Sequence, residues 1–312
     1  MRTLLTTSPE EAAAIIRLGG LVAFPTETVY GLGADVFNEK AVRRIFEAKQ
    51  RPGDNPLIAH VSDAAEISSL ASVIPDSASR LISRFFPGPL TVVIPKSPFV
   101  PVVATAGLES IGVRMPSHEL AGEFLRNCGT PVVAPSANLS GRPSPTSWRA
   151  VLEDLEGSIE CILQGEDTEI GLESTVVDCT AQCPTVLRLG AVSLEELREV
   201  IPAIVVAGDG HGPPRSPGMR HKHYSPRANV ILVDAEIRPT DNASRSFIGI
   251  NEPVADYEMV KVCDSLEEYG RSLFEFLRES DRRKISSIYC ETVSDEGIGA
   301  AIMDRLRRAA ER

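Results

Sequence analysis

The sequence lacks the short motifs that usually reveal a nucleotide, metal or redox site. Neither the P-loop pattern G-x-x-x-x-G-K-[ST] nor the dinucleotide-binding pattern G-x-G-x-x-G occurs among its 312 residues, so neither type of domain is supported. The six cysteines are scattered without a C-x-x-C pair, and we expect ordinary buried or free thiols rather than a disulfide framework. No histidines, cysteines or carboxylates show the tight spacing of a metal site, and His221 and His223 are expected to face solvent.

Positive charge and long apolar runs are also scarce. The formal net charge is -11, which argues against a protein whose main task is to grip a nucleic-acid backbone, although a local basic groove stays open. No apolar stretch is long enough to span a bilayer, and Glu10 and Glu11 are unlike a secretory signal. Hydrophobic residues make up 43% of the chain, enough to bury a core. We therefore expect a soluble, cytoplasmic protein with no membrane partner.

Two α/β domains are expected from the order of apolar runs and amphipathic segments. Over residues 1–206 these alternate without a strict βαβ rhythm, which predicts a mixed sheet. Residues 207–227 are rich in Gly, Pro, His and Arg and read as a linker. Residues 228–312 then predict a smaller α/β domain. Near the N-terminus, Ser8 is expected to cap a helix and Glu11 to complete a capping box.

The segment 25–34, PTETVYGLGA, is the clearest candidate for a functional loop. It follows a short apolar strand and combines hydroxyls, a carboxylate and two glycines in one turn. A structural turn needs the glycines but not Thr26, Glu27, Thr28 and Tyr30 together. A ligand-binding turn is therefore favoured over a merely polar one.

A second candidate is the segment 49–57, KQRPGDNPL, at a predicted helix end. Lys49 and Arg51 offer a point charge and a bidentate fork to a polyphosphate. The alternative is a solvated helix C-terminus, where cations offset the helix dipole.

Histidine and arginine also occur inside apolar strands. His60 lies in such a strand and could equally be a satisfied core residue. Arg114 and Arg188 lie in two further strands, and a buried arginine must find an anion. The segment 134–141, APSANLSG, runs from a strand end into a loop of small residues, where open α/β sheets bind ligands. These features suggest a converging anion site.

Five motifs in this order closely resemble the threonylcarbamoyl-AMP synthases, the YrdC-like family: PTETVYGLGA, K-x-R-x-x-x-x-PL, SANLSG, ESTVVD and SPGMRHKHYSP. The resemblance covers most of residues 8–230 and suggests the long form, which has an extra C-terminal domain. It implies a YrdC-like mixed, twisted sheet with a concave, positively charged cavity, followed by a smaller Rossmann-like α/β domain.

The resemblance also implies site residues, carried over by motif position. The threonine-binding residues would be Thr28, His60, Arg114, Ala134 and Ser174. The ATP-binding residues would be Arg51, Asn55, Ser110, Ser136, Ser144, Arg188 and Tyr224, with Lys49 close to the phosphates and Lys49 and Arg51 as the catalytic pair.

The implied reaction joins L-threonine, bicarbonate and ATP into threonylcarbamoyl-AMP, with Mg2+ accompanying ATP. The product would pass to a threonylcarbamoyl transferase complex that modifies an adenosine of tRNA, and tRNA itself is a further candidate partner. Because the carbamate of threonine is the nucleophile, no protein nucleophile is required, and catalysis would rest on positioning and charge stabilisation.

Other interpretations remain open. A carbamoyltransferase carrying the same module is one, but the accessory regions of those proteins are missing here. An RNA-binding regulator built on the same cavity is another, and the net charge of -11 disfavours it. The linker is expected to fold over the cavity as a lid in which Tyr224 touches ATP, the alternative being a simple tether.

Overall fold

The computed structural model describes residues 2–207, 224–234, 236 and 244–311. Of the predicted linker, residues 208–223 lie outside the described residues, and the lid stays a prediction. Tyr224 at its end is described.

One mixed sheet organises residues 2–207. Its strands are β1 (Leu4–Thr6), β2 (Val22–Phe24), β3 (Gly31–Asp35), β4 (Ile58–His60), β5 (Leu90–Pro95), β6 (Ser110–Arg114), β7 (Val132–Val133), β8 (Cys161–Leu163), β9 (Thr175–Asp178), β10 (Thr185–Arg188) and β11 (Val205–Val206). The spatial order is β1-β8-β2-β3-β7-β4-β6-β5-β9-β10-β11. Strand β6 pairs parallel with β4 and antiparallel with β5, which confirms the predicted mixed sheet.

Short amphipathic helices cover this sheet. They are α1 (Pro9–Arg17), α2 (Glu39–Ala48), α3 (Ile67–Leu70), α4 (Asp76–Phe85), α5 (Glu119–Cys128), α6 (Trp148–Leu155) and α7 (Leu194–Val200). Ser8 caps α1 through the amide of Glu11, as predicted. The predicted capping box is wrong, because the Glu11 carboxylate accepts a hydrogen bond from Thr6 Oγ1 and the Ser8 amide also donates to Thr6.

A second, fully parallel sheet lies in the C-terminal part. Its strands are β12 (Asn229–Val233), β13 (Arg245–Gly249), β14 (Met259–Val262) and β15 (Ser287–Glu291), in the order β12-β15-β13-β14. The helices α8 (Leu266–Arg282) and α9 (Ile298–Ala310) pack against it. This confirms a smaller α/β domain. Among the described residues, no helix combines the length and apolar character needed to cross a bilayer.

The two sheets are joined by a shared buried cluster. Val29 and Leu172 of the first part pack with Tyr224 and with residues of α8, including Phe274. Gly171 approaches the backbone of α8 so closely that a Cβ there would lie 2.4 Å from Arg271 Cα. The C-terminal helices therefore lie directly against the loops that follow β2 and precede β9.

Candidate active site

A concave cavity, partly open to solvent, lies where these loops meet the ends of β4, β6 and β7. Loops from distant parts of the sequence form its wall, because the sheet places strands that are far apart in sequence side by side. Nine of the sequence-predicted residues line it: Thr28, Arg51, Arg114, Ala134, Ser136, Ser144, Ser174, Arg188 and Tyr224. The cavity wall also includes three residues to which no role was predicted: Asn138, Arg142 and Glu173.

Four predicted residues are not part of this wall. Lys49, Asn55 and His60 are buried behind it. Ser110 begins strand β6, whereas the cavity residue Arg114 ends it. Four steps along a strand separate their Cα atoms by about 13 Å. Ser110 thus does not line the cavity among the described residues, and its predicted role in binding ATP stays a prediction.

The turn after β2 binds Arg114. Thr26 Oγ1 lies 2.8 Å from Thr28 Oγ1 and donates to the carbonyl of Val29, which fixes the turn. Arg114 Nη1 then donates to Thr28 Oγ1 at 2.8 Å. Arg114 Nη2 lies 2.7 Å from the Glu27 carboxylate, but the two groups are not aligned for a hydrogen bond, so they form an ion pair only. Among the described residues, no acceptor is aligned with Nη2. Nη2 can therefore donate hydrogen bonds to a ligand.

His60 supports the cavity from behind. Its ring is buried, packs edge-on against Phe24 and places Nδ1 3.2 Å from the carbonyl oxygen of Ile58. Burial, and then the charge of Arg114, lower the pKa of His60 to about 3. The imidazole is therefore neutral at physiological pH and can act on a ligand as a hydrogen-bonding group, not as a cation.

The side chains of Lys49 and Arg51 point in different directions because helix α2 ends between them. Gln50 between them adopts a left-handed conformation with φ 51, which ends the helix. The Lys49 ammonium is buried and donates to the carbonyls of Ser136 and Asn138 at 2.5 and 2.6 Å. Burial, and then the charge of Arg51, lower the pKa of Lys49. Lys49 thus holds the loop after β7, while Arg51 reaches the cavity.

Arg188 reaches the cavity because strand β10 is irregular. The pairing of β10 with β9 shifts register between Val186 and Arg188, which changes the face from which the later side chains project. Arg188 Nη2 donates to the carbonyl and the hydroxyl of Ser174 at 2.9 and 3.1 Å. The Ser174 hydroxyl also lies 2.8 Å from that of Thr91. Ser174 and Arg188 are therefore one hydrogen-bonded unit.

The sequence interpretation missed Glu173 and Arg305. Glu173 accepts from Ser144 Oγ at 2.5 Å and from Arg305 Nε at 2.9 Å, and it lines the cavity. Arg305 lies on α9 and is fully buried. A signal was present, because an arginine between Ile302 and Leu306 interrupts the apolar face of an otherwise amphipathic helix. Such an arginine needs a buried anion.

Two protein-family models match the chain. Residues 14–190 match the Sua5/YciO/YrdC model, described as telomere recombination, and residues 192–311 match the C-terminal domain of threonylcarbamoyl-AMP synthase. The threonylcarbamoyl-AMP synthase of Pyrococcus abyssi is 46% identical, with 96% of this chain and 93% of that protein aligned. That of Bacillus subtilis is 41% identical, with 98% and 94% aligned.

Solved structures show the same fold. The crystal structure of Pyrococcus abyssi Sua5 in complex with L-threonine matches with a TM-score of 0.93 and 43% identity, covering 99% of this chain and 98% of that chain. The crystal structure of Escherichia coli YciO matches with a TM-score of 0.55 and 25% identity, covering 63% of this chain and 98% of that chain. The chain therefore belongs to the Sua5/YciO/YrdC family, in the form that carries a threonylcarbamoyl-AMP synthase C-terminal domain.

Proposed function

We propose that this protein is an L-threonylcarbamoyladenylate synthase. As a nucleotidyltransferase it condenses L-threonine, bicarbonate or CO2, and ATP to threonylcarbamoyl-AMP and pyrophosphate. The observation that carries the proposal is the convergence of Arg51, Arg114 and Arg188 on one cavity whose wall also offers several hydroxyls. Such a cavity suits a carboxylate and a polyphosphate bound together. The activity in the names of the relatives supports the same assignment.

The threonine carboxylate is proposed to bind Arg114. Its Nη2 has no directed hydrogen bond, while Nη1 is held by Thr28, so the guanidinium is oriented before a ligand arrives. Ser174 lines the same cavity with its hydroxyl, and the neutral ring of His60 lies buried behind the wall. Ala134, at the end of β7, leaves room for the substrate because it has a small side chain.

The nucleotide is proposed to bind across the loops that carry Arg51, Ser136, Ser144 and Arg188, with Tyr224 at the far wall. Burial lowers the pKa of Arg51 to about 10, so its guanidinium stays charged at neutral pH. Asn55 accepts from Arg51 through its carbonyl at 3.4 Å and so positions Arg51. Predicted roles of Lys49 and Ser110 as direct ATP contacts remain expectations from motif position.

The chemical step needs positioning rather than a protein nucleophile. The amine of threonine attacks CO2, loses a proton and becomes a carbamate. A carbamate oxygen then attacks the α-phosphorus of ATP, and the bond from that phosphorus to the bridging oxygen breaks as pyrophosphate leaves. Negative charge accumulates on the leaving group, and Arg51 and Arg188 are placed to stabilise it.

Mg2+ is proposed to arrive with ATP as part of the substrate. Among the described residues, no three histidines, cysteines or carboxylates converge on a point that could hold a metal ion. Glu173 on the cavity wall is already bonded to Ser144 and Arg305. These residues do not fit a resident metal centre, and no step is assigned to one.

A threonylcarbamoyl transferase complex is the proposed recipient of the product. Threonylcarbamoyl-AMP is a mixed anhydride, so water destroys it unless it is transferred quickly. The final acceptor is proposed to be an adenosine of tRNA, and direct contact with tRNA is a further proposal. The cytoplasm, where tRNA is modified, is the proposed location.

Pyrophosphate release from ATP tests the proposal and separates it from an RNA-binding regulator. The enzyme should release pyrophosphate only when threonine and bicarbonate are both present. A regulator would bind RNA and show no such dependence. Release that continues without threonine would contradict the proposed substrate.

A further inference from the structure

One buried arginine of the C-terminal helix α9, Arg305, is bonded to a residue of the cavity wall, Glu173. Arg305 is 0% exposed, which is rare for an arginine and requires partners for its charge. Its Nε donates to Glu173 at 2.9 Å, and its Nη2 donates to the carbonyl of Leu189 at 2.9 Å. Its Nη1 pairs with the adjacent Asp304. Two of its three nitrogens are therefore bonded to the other domain.

Glu173 links Arg305 to Ser144 in the cavity wall. One carboxylate oxygen is held by Arg305, and the other accepts from the hydroxyl of Ser144 at 2.5 Å. Ser144 is itself 99% buried and lines the cavity. The position of its hydroxyl is therefore set by Glu173, and that of Glu173 by Arg305.

The same guanidinium also contacts Tyr224. Its central carbon lies 5.4 Å from the centre of the Tyr224 ring, and the same ring stacks on that of Phe274 of α8 with ring centres 5.2 Å apart. Tyr224 has φ 63, a left-handed conformation that costs free energy in a residue other than glycine. Contacts from the C-terminal domain must offset that cost for the ring to stay in the cavity wall.

Arg305 also neutralises the charge of the Glu173 carboxylate. A bare carboxylate at Glu173 would oppose a polyphosphate in a cavity otherwise lined by arginines. Burial alone would raise the pKa of Glu173, but Arg305, Arg188 and the Ser144 hydroxyl outweigh it and lower that pKa. Glu173 is therefore an anion, and Arg305 neutralises it from the side away from the cavity.

We propose that Arg305 is a positioning residue for the nucleotide half of the active site. It neutralises Glu173, orients Ser144 and holds Tyr224, so ATP binds well only when the C-terminal domain is docked. The proposal rests on the proposed function for the identity of the nucleotide. Arg305 itself does not line the cavity, and it acts only through these neighbours.

The test measures the Kd of a non-hydrolysable ATP analogue by calorimetry, so it does not depend on turnover. Arg305→Gln should raise this Kd about 10- to 100-fold, because a buried carboxylate is left unpaired beside the phosphates. The Kd for threonine should change less than about 3-fold. Arg305→Lys keeps the positive charge but loses the planar guanidinium that bonds several acceptors at once. Its Kd for the analogue should lie between the values of Arg305→Gln and the native chain.

Two matched controls separate positioning from general weakening. Arg307→Gln changes an exposed arginine of the same helix, which pairs with Asp295 at the surface. Arg282→Gln removes an ion pair between the domains, to Glu153, at their exposed edge. Both should leave the Kd for the ATP analogue within about 2-fold of the native value.

A double variant decides whether Arg305 acts through Glu173. With Glu173→Gln in place, adding Arg305→Gln should change the Kd of the analogue by less than about 3-fold, because no unpaired charge remains. This pair should also fold if Arg305→Gln alone does not. Analogue binding much weaker in the double variant than in Glu173→Gln alone, or loss of folding in the double variant, would overturn the proposal, as would equal loss of threonine and ATP binding in Arg305→Gln. If the native chain binds the analogue but makes no product, the proposed function fails and this comparison still stands.

Discussion

At the scale of single residues, the three cavity arginines differ in what already holds them. Arg114 is paired with Glu27 and oriented by Thr28, so its charge is partly balanced before a ligand binds. Arg188 donates to the carbonyl and hydroxyl of Ser174, and the charge of Glu173 also acts on it. Arg51 Nη2 donates to the Asn55 carbonyl at 3.4 Å, and the charge of Asp54 also acts on Arg51. The three cavity arginines are therefore oriented by different partners before a ligand binds.

Arg51→Ala tests the role of a phosphate-binding cation. It should lower kcat for pyrophosphate release by about 10²–10³, the usual effect of removing one charge-stabilising donor. Arg43→Ala is the matched control, because Arg43 lies on α2 and its exposed side chain pairs only with Glu39 in the described structure. Near-normal pyrophosphate release by Arg51→Ala would contradict the assignment.

The choice of amino acid follows from the hydroxyls around the threonine site. A pocket that hydrogen-bonds the threonine hydroxyl should use valine at least about 10³-fold less efficiently, because a buried polar group is left unpaired. Serine keeps the hydroxyl and loses one methyl group, so it should be used only about 10-fold less efficiently. Competition between each analogue and threonine measures both ratios. Equal use of valine and threonine would exclude recognition of the hydroxyl.

At the scale of elements, close backbone packing brings Ser174 and Arg188 together. Gly190 follows β10, and a Cβ there would lie 2.3 Å from the amide nitrogen of Thr175 and 2.5 Å from the carbonyl oxygen of Glu173. These are backbone atoms, so no side-chain rotation can relieve the contact. The glycine lets the end of β10 lie directly on the start of β9.

Gly190→Ala should therefore lower both stability and activity. Forcing the two strands apart should reduce the free energy of unfolding by about 1–3 kcal/mol and weaken substrate binding as Ser174 and Arg188 separate. Gly122→Ala on α5 is the control, since its Cβ would meet only the Arg126 guanidinium at 3.4 Å and alanine favours the helix. Thermal unfolding should show opposite signs for the two variants. A Gly190→Ala protein as stable as the native one would show that the contact is easily relieved.

Elements with a clear period were predictable from the sequence, whereas their arrangement was not. The strand containing Arg114 and the helix capped by Ser8 follow from apolar spacing and cap chemistry. Strand β1 was missed because it has three residues and pairs across 157 positions, Leu4 with Cys161. No local pattern encodes such a partner.

The candidate site was likewise predictable only in part from the sequence. Motif positions anticipated much of the cavity wall, but not that the Lys49 ammonium is bonded to the loop after β7. They also gave no hint of Arg305, whose partner Glu173 is 132 positions away. Site residues within one loop could be predicted from the sequence, whereas contacts between the two domains could be identified only from the structure.

At the scale of the whole molecule, buried carboxylates join the two domains. Asp154 on α6 binds Arg278 of α8 at 2.8 Å, and Glu173 binds Arg305 of α9 at 2.9 Å. Burial alone would raise the pKa of Asp154, but its bonds to Arg278 and Arg142 outweigh this and lower it. The same balance lowers the pKa of Glu173. Both groups are more acidic in the folded protein than in the unfolded chain.

Acid should therefore weaken the docking of the two domains. A carboxyl group with a lowered folded pKa stabilises the fold fully above its unfolded pKa of about 4, and this contribution is lost as pH falls below it. The Tm should drop between about pH 5 and pH 3, and the drop should be smaller in Asp154→Asn. Glu39→Gln, which removes an exposed carboxylate, is the control. An equal drop in Asp154→Asn and the native protein would contradict a role for this pair.

Isotope labelling of the product tests the proposed synthase activity of the whole molecule. The protein is incubated with L-threonine, ATP and 13C-labelled bicarbonate, and the quenched mixture is analysed at once by mass spectrometry. We predict a product that contains threonine, AMP and one labelled carbon between them, formed in equal amount to pyrophosphate. AMP and pyrophosphate without this labelled adduct, or an adduct without the labelled carbon, would contradict the account.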